Sequence, residues 1–218
     1  MILYIIHIFI LFVYIQYDIN IIDLRKGVIY NMKYFKKLVG ERIYLSPMNL
    51  EDIEIYTKWM NDFCITDGLH SSSKICNLPS EKDWLENSLK SGEYQFSIVD
   101  LKTDELIGNC GIMNIDNIDR IATVGVFIGE KDNRNKGYGK EALRLLLDYG
   151  FNYLNIHNIG LKVFSFNDGA IKCYKDVGFK EYGRRREAYF VNGKYYDSIC
   201  MDILAKEFNE SFIKNKNI

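Results

Sequence analysis

Apolar and polar positions alternate along this chain in two rhythms. A period of two marks strands, and a period near 3.6 marks helices. Arg42–Ser46 reads as a short strand. Leu50–Met60 follows as a helix, with Asn49 at its cap and Glu51 and Asp52 in its first turn, where the helix dipole favours acids. Ser80-Glu-Lys-Asp83 resembles a capping box, with Asp in place of Glu, and predicts a second helix to about Ser91. The segment between them, FCITDGLHSSSKICNLP, reads as a loop and carries His70. A β meander comes next: strands at Tyr94–Asp100, Glu105–Asn114 and Ala122–Gly129, with turns at Lys102–Asp104 and Asp116–Asp119. Over Gly139–Leu154 the rhythm becomes helical, and Ala142, Leu143, Leu146, Leu147, Phe151 and Leu154 define one buried face. Gly160–Ser165 is a strand, and Asp168–Val177 a short helix with Asn167 at its cap. Lys180–Phe190 and Tyr195–Leu204 are strands joined through Asn192-Gly193, the strongest short hairpin signal.

That order (strand, two helices, three antiparallel strands, helix, strand, helix, hairpin) describes one α+β domain without repeats. The length of 218 residues, with 48% hydrophobic and 26% charged residues, suits a globular protein with a sizeable core. A formal net charge of -1 implies no broad basic surface and argues against a nucleic-acid partner. The five cysteines have no close-paired ligand spacing, and the three histidines are far apart, so no metal is expected. Free thiols fit a reducing, cytoplasmic compartment.

The beginning, MILYIIHIFILFVYIQYDINII, is strongly apolar. Its uncharged run is shorter than the ~20 residues a spanning helix needs, and it lacks the basic start of a secretory signal. At Met32 the text changes to that of a soluble domain, and Lys26-Gly27-Val28 is what a purine-rich ribosome-binding site would encode. Residues 1–31 are therefore expected to be upstream sequence read in frame, with the native start at Met32 and a single domain over 32–218. A membrane anchor is the other reading. A peptide from residues 1–25 recovered from native cells would sink the first.

Gly137 and Gly139 stand at the mouth of the long amphipathic helix, where glycine is a poor helix former. Gly137-Tyr-Gly139-Lys-Glu-Ala142 formally matches a dinucleotide fingerprint, but a polar loop separates it from the preceding strand and no acid ends the next one. A P-loop fails for want of a following Gly-Lys-Ser/Thr. Flanked by Arg134, Lys136 and Lys140, the glycines suit an anion held on free backbone N–H groups at a helix N-terminus.

Here the sequence resembles the GNAT (general N-acetyltransferase) superfamily. Arg134-x-x-Gly137-x-Gly139 looks like its pyrophosphate-binding signature, and Asn167-x-x-Ala170-x-x-x-Tyr174-x-x-x-Gly178-Phe179 like its second motif. Trp59-Met-Asn61-Asp62 and the ending EAYFVNGKYYDSICMDIL are most similar to the branch of ribosomal-protein N-terminal and spermidine acetyltransferases. Many members of that branch have an acid where Thr123 stands here. The resemblance implies a GNAT-like fold, with a largely antiparallel central sheet flanked by helices. It also implies acetyl-CoA as cosubstrate and a primary amine as acceptor: a polyamine, a protein N-terminal amine or another small amine. The cofactor would contact Val126, Phe127 and Ile128 on the last meander strand, Arg134, Asn135, Lys136, Gly137, Tyr138, Gly139 and Lys140 in the loop, and Asn167 and Lys172 beyond. Tyr174 would protonate the leaving thiolate, although its periodicity alone is equally that of a core residue. Glu130, Asp116 and Asp119 are open choices for the general base. Glu51, Asp52, Glu54, Asp62 and Asp67 either steer a cationic amine or form an ordinary charged face. Family members often self-associate through their terminal strands. A CoA-binding module without catalysis is the alternative from another class.

Overall fold

The computed structural model describes residues 20–23, 28–31, 33–91 and 93–214. The expectation for residues 1–31 lies mostly outside the described residues. Within it, strands Asn20–Asp23 (β1) and Val28–Asn31 (β2) pair antiparallel. Chain contacts divide the protein into residues 1–35 and 36–218.

The second unit holds an eight-stranded sheet of order β3-β4-β5-β6-β7-β8-β10-β9. Its strands are Leu38–Val39 (β3), Ile43–Pro47 (β4), Tyr94–Asp100 (β5), Leu106–Asp116 (β6), Ile121–Ile128 (β7), Asn158–Phe164 (β8), Lys180–Val191 (β9) and Lys194–Leu204 (β10). Every neighbouring pair is antiparallel except β7 and β8. A parallel pair needs a long crossover, and the long amphipathic helix supplies it. The α+β class and the largely antiparallel sheet read from the sequence are therefore observed.

Among the described residues five α-helices flank the sheet: Ile53–Met60 (α1), Phe63–Thr66 (α2), Leu78–Lys90 (α3), Tyr138–Asn152 (α4) and Asp168–Val177 (α5). Two expectations change. The segment after α1 is not all loop, because Asp62 accepts from the Cys64 N–H at 2.8 Å and caps the short α2. Ser80 is not the cap of α3; Asn77 is, accepting from the Ser80 N–H at 2.9 Å while Ser80 Oγ accepts from the Asn77 N–H at 3.1 Å. Pro79 fits inside this first turn because the N–H it lacks has no intrahelical partner there.

β7 shows how the core is divided. Successive strand residues point to opposite faces. Val126 and Ile128 pack against the large core that includes Leu143, Leu146 and Phe151 of α4. Phe127 packs against a smaller cluster of Met48, Tyr56, Trp59, Ile65 and Leu85 under α1 to α3. One strand thus serves two helical layers. No helix among the described residues is long and apolar enough to cross a membrane.

Candidate active site

β7 and β8 are paired only over Ile121–Thr123, so the sheet parts from Val124 onward. Two cavities meet at the parted strand. Leu69, Val126 and Phe127 line both.

The first cavity, about 590 Å³, gathers several of the residues that the motifs singled out. Val126, Phe127 and Ile128 form its strand wall, Arg134, Asn135 and Gly139 its loop wall, and Asn167 and Tyr174 its α5 wall. The loop turns through two left-handed residues, Asn135 at φ 59° and Gly137 at φ 86°. Gly137 is the N-cap of α4 and offers no side chain, so no side-chain group caps the helix's first N–H groups. Free N–H groups at a dipole's positive end are a ready anion site.

The basic side chains are arranged differently from the sequence expectation. The Arg134 guanidinium turns back onto backbone, donating to the carbonyls of Gly129 at 2.9 Å, Cys64 at 3.2 Å and Ile128 at 3.3 Å. It braces the loop against the end of β7. Lys140 pairs with Asp176 of α5 at 2.7 Å, and this lysine holds the Asp176 carboxyl below its usual range. Lys136 and Lys172 are exposed and outside the cavity lining, with no ion pair among the described residues. Tyr138 also lies outside the lining: its hydroxyl donates to Asp100 Oδ2 at 3.3 Å, and Arg42 stacks over its ring. Lys162 of β8, which no motif marked, joins the cavity wall.

A clamp that sequence reading missed holds the loop. Glu141 Oε1 accepts the backbone N–H groups of Glu41 at 2.7 Å and Arg42 at 2.8 Å, while Oε2 accepts from Arg42 Nε at 2.9 Å. Arg42 Nη1 then donates to the Lys136 carbonyl at 2.7 Å. A Cβ on Gly40 would come within 2.5 Å of Glu141 Oε1, so the turn before β4 needs glycine for this approach.

Asn167 caps α5, its Oδ1 accepting from the Ala170 N–H at 3.1 Å, and still lines the cavity. Tyr174 is half-buried beside Phe179, ring edge to face at 6.0 Å. Burial pushes its phenol up to about 12.

None of the acids open as base reaches either cavity. Glu130 Oε1 accepts from Lys58 Nζ at 2.7 Å and Trp59 Nε1 at 3.0 Å, and the Lys58 bond holds its carboxyl below the usual range. Asp116 Oδ1 is spent on the N–H groups of Ile118 and Asp119 in its turn. Of the acids considered for steering, Asp67 alone lines a cavity, the first, and it accepts from Ser72 Oγ at 2.6 Å.

The second cavity, about 760 Å³, lies on the α1 and α3 side. Tyr56, Trp84 and Phe127 are its aromatic walls, with Met60 and Met113 beside them. The Tyr56 hydroxyl shares a hydrogen bond with Ser97 Oγ at 3.1 Å, and burial pushes its phenol well above the usual range. Glu81 is buried in this wall and accepts a hydrogen bond from the Cys76 thiol at 2.9 Å. Burial raises the Glu81 carboxyl, and burial with the Glu81 contact pushes the Cys76 thiol up to about 11. Glu81, Trp84 and Ser88 recur at helical spacing on α3, the one sequence signal that could have found this wall.

Comparisons with known proteins identify the family and the fold. A family model described as Acetyltransferase (GNAT) domain matches residues 45–200. An uncharacterized N-acetyltransferase p20 of Bacillus licheniformis is 30% identical over 175 residues, covering 78% of this chain and 97% of that protein. A spermidine N(1)-acetyltransferase of Vibrio cholerae is 33% identical over 118 residues, 54% of this chain and 67% of its own length. The crystal structure of spermidine N-acetyltransferase from Vibrio cholerae in complex with CoA and spermine superposes with a TM-score of 0.72 at 25% identity, covering 78% of this chain and 99% of that one.

Proposed function

The chain belongs to the GNAT acetyltransferase domain family and is an N-acetyltransferase; from that premise we propose that it moves the acetyl group of acetyl-CoA to a primary amine by direct attack on the thioester. The observation that carries this reading is the parting of β7 from β8 between two cavities, with the uncapped end of α4 opening on one of them. The first cavity fits CoA. Backbone N–H groups of the 135–139 loop and the start of α4 receive the pyrophosphate, and the exposed Lys136 and Lys172 lie on the flanking elements for its outer phosphates. Arg134, Lys140 and Tyr138 keep the loop and α4 in place. Val126–Ile128 stays paired with β6, and its other edge, which β8 leaves open, receives the pantetheine and thioester, supplying donors where negative charge develops on the carbonyl oxygen.

The acceptor enters from the second cavity. Its nitrogen lone pair forms the new C–N bond to the carbonyl carbon, the nitrogen gives up a proton, and the C–S bond breaks. The Tyr174 hydroxyl faces the departing sulfur. A polyamine such as spermidine, a protein N-terminal amine and another small amine all satisfy this chemistry, and a relative and a structural neighbour are described as spermidine acetyltransferases. A cytoplasmic location belongs to the same reading. So does self-association through the terminal strands, where Tyr182 of the edge strand β9 and Tyr195 of β10 stay exposed. Release of CoA thiol on mixing with acetyl-CoA and a panel of these amines tests the assignment. Turnover with at least one amine is expected. CoA binding without turnover would leave only a binding module, and failure to bind CoA would refute the reading.

A further inference from the structure

The second cavity has one deeply buried charge. Glu81 is 5% exposed, its carboxylate accepts one hydrogen bond, from Cys76, and it forms no ion pair among the described residues. The same cavity is lined by the phenol of Tyr56 on α1, the indole of Trp84 one turn further along α3, and Phe127 on β7. The other charged groups in the lining, Lys74 and Glu93, are both exposed, opposite in sign, and at the ends of the loop and strand segments that frame the mouth. The lining from β5, β6 and β7 includes Gln95, Asn109 and Gly125, none of them titratable.

We infer that Glu81 is the receptor for the acceptor's ammonium group, and that the acceptor class is a monoamine with an apolar or aromatic body. The inference rests on the acetyltransfer reading. One buried carboxylate compensates one buried cation, and an isolated charge without a partner is costly to bury. A polyamine would leave its remaining ammonium groups against Trp84, Phe127 and the methionines, with no second buried carboxylate to meet them. An apolar body would instead gain contact with those walls, and Trp84, still partly exposed, is the ring that can meet the cation. In the free protein the Cys76 thiol holds the place of the ammonium on Glu81.

When the acceptor has a single nitrogen, the nitrogen that is held is the nitrogen that reacts. The ammonium therefore passes its proton to a Glu81 carboxylate oxygen, leaving neutral amine and neutral carboxylic acid. The freed lone pair then attacks the thioester carbon: the C–N bond forms, the C–S bond breaks and the thiolate leaves. The nitrogen's remaining surplus proton passes through solvent to that thiolate, and Glu81 returns its own proton to solvent. Burial, which raises the Glu81 carboxyl, makes it a better proton acceptor.

The test uses the full chain, acetyl-CoA, and three probe amines: 2-phenylethylamine, n-hexylamine and spermidine. The wild type should show kcat/KM at least ~10-fold higher for the two monoamines than for spermidine, a difference expected of one well-placed charge pair. Glu81→Gln, which keeps an acceptor for the Cys76 thiol, should lower kcat/KM for 2-phenylethylamine by ~100-fold, the scale of losing a general base. Its Kd for CoA and its unfolding midpoint should not move. The pH profile separates a proton acceptor from a structural residue. With Glu81 present, the ammonium form is used, and kcat/KM should be level between the pKa of the carboxyl and that of the amine, ~10 by analogy with lysine. In Glu81→Gln only neutral amine reacts, so kcat/KM should climb about tenfold per pH unit up to that value. A wild-type preference for spermidine overturns the acceptor class without any variant. An unchanged rate and profile in Glu81→Gln overturns the role of the carboxylate. Absence of transfer to every amine overturns this inference together with the acetyltransfer reading, whereas those first two outcomes leave that reading standing.

Discussion

Replacing Tyr174 by Phe removes one oxygen from the α5 wall of the first cavity and leaves the packing against Phe179 in place. The size of the effect follows from the acidity of the phenol. Burial pushes it up to about 12, whereas an ordinary thiol sits at ~8.5. Full transfer of the phenolic proton to the departing thiolate would thus run uphill by ~3.5 pKa units, ~5 kcal/mol at ~1.36 kcal/mol per unit. A hydrogen bond from the intact phenol to the forming thiolate avoids that cost and contributes ~1.5–3 kcal/mol, as bonds to charged groups do. Tyr174 should therefore stabilise the leaving sulfur as a donor, with the proton arriving later from solvent. Tyr174→Phe should lower kcat by ~10–150-fold and leave the Kd for CoA unchanged. The sign of the pH effect follows: a raised pKa keeps the donor form at every pH below about 12, so kcat should show no basic limb from this residue in the neutral to mildly alkaline range. Single-turnover acetyl transfer followed by CoA thiol release between pH 6 and pH 10 gives both readings. A basic limb near pH 8–9 that disappears in Tyr174→Phe would show an acidified phenol and complete proton transfer, refuting the donor argument. An unchanged kcat would remove Tyr174 from the chemistry.

Two further substitutions test the frame of the site. Gly137→Ala forces a side chain into φ 86°, which costs ~1–2 kcal/mol, and brings its Cβ to 3.1 Å from Arg42 Nη2; equilibrium unfolding should show that loss, and calorimetry a raised Kd for CoA. Asp148, fully buried in α4, accepts the N–H groups of Phe212 at 2.6 Å and Ile213 at 3.0 Å; Asp148→Ala strands both, at ~1–3 kcal/mol each, so urea unfolding should fall by that sum and hydrogen exchange should rise at those two amides.

The sequence announced what is local. The β7 alternation, the α4 face and the cap at Asn167 each depend on residues within a turn or a pleat of one another, and each is where the pattern put it. The start of α3 is harder to read, because Ser80 makes one half of the box and resembles the cap that Asn77 provides. Long-range partners stayed hidden. Arg134 and Lys140 read as free cations, yet they are engaged by carbonyls of β7's end and α2 and by Asp176 of α5. The Glu141 clamp joins positions 99 residues apart, and nothing near Glu141 distinguishes it from an ordinary first-turn acid.

The two cavities differ in legibility for a physical reason. A pyrophosphate is bound by backbone N–H groups, so the chain must place glycine at a fixed offset from the helix it opens, and fixed offsets are visible in sequence. An amine is recognised by side-chain charge and ring faces. Here those come from Tyr56 on α1, Cys76 in the loop, Glu81 and Trp84 on α3, and Phe127 on β7, which converge only after folding. Their spacing is free to vary as long as the wall closes. β7 joins the two problems in one strand. Its backbone faces the donor whatever its side chains are, while its alternate side chains build opposite walls, Val126 toward α4 and Phe127 toward α1 and α3. Phe127 lines both cavities, so changing it should alter acceptor choice and CoA affinity together, whereas changing Trp84, which lines the second cavity alone, should alter acceptor choice and leave the Kd for CoA in place; it is in the walls under α1 and α3 that a relative with the same glycine loop can acquire a different substrate.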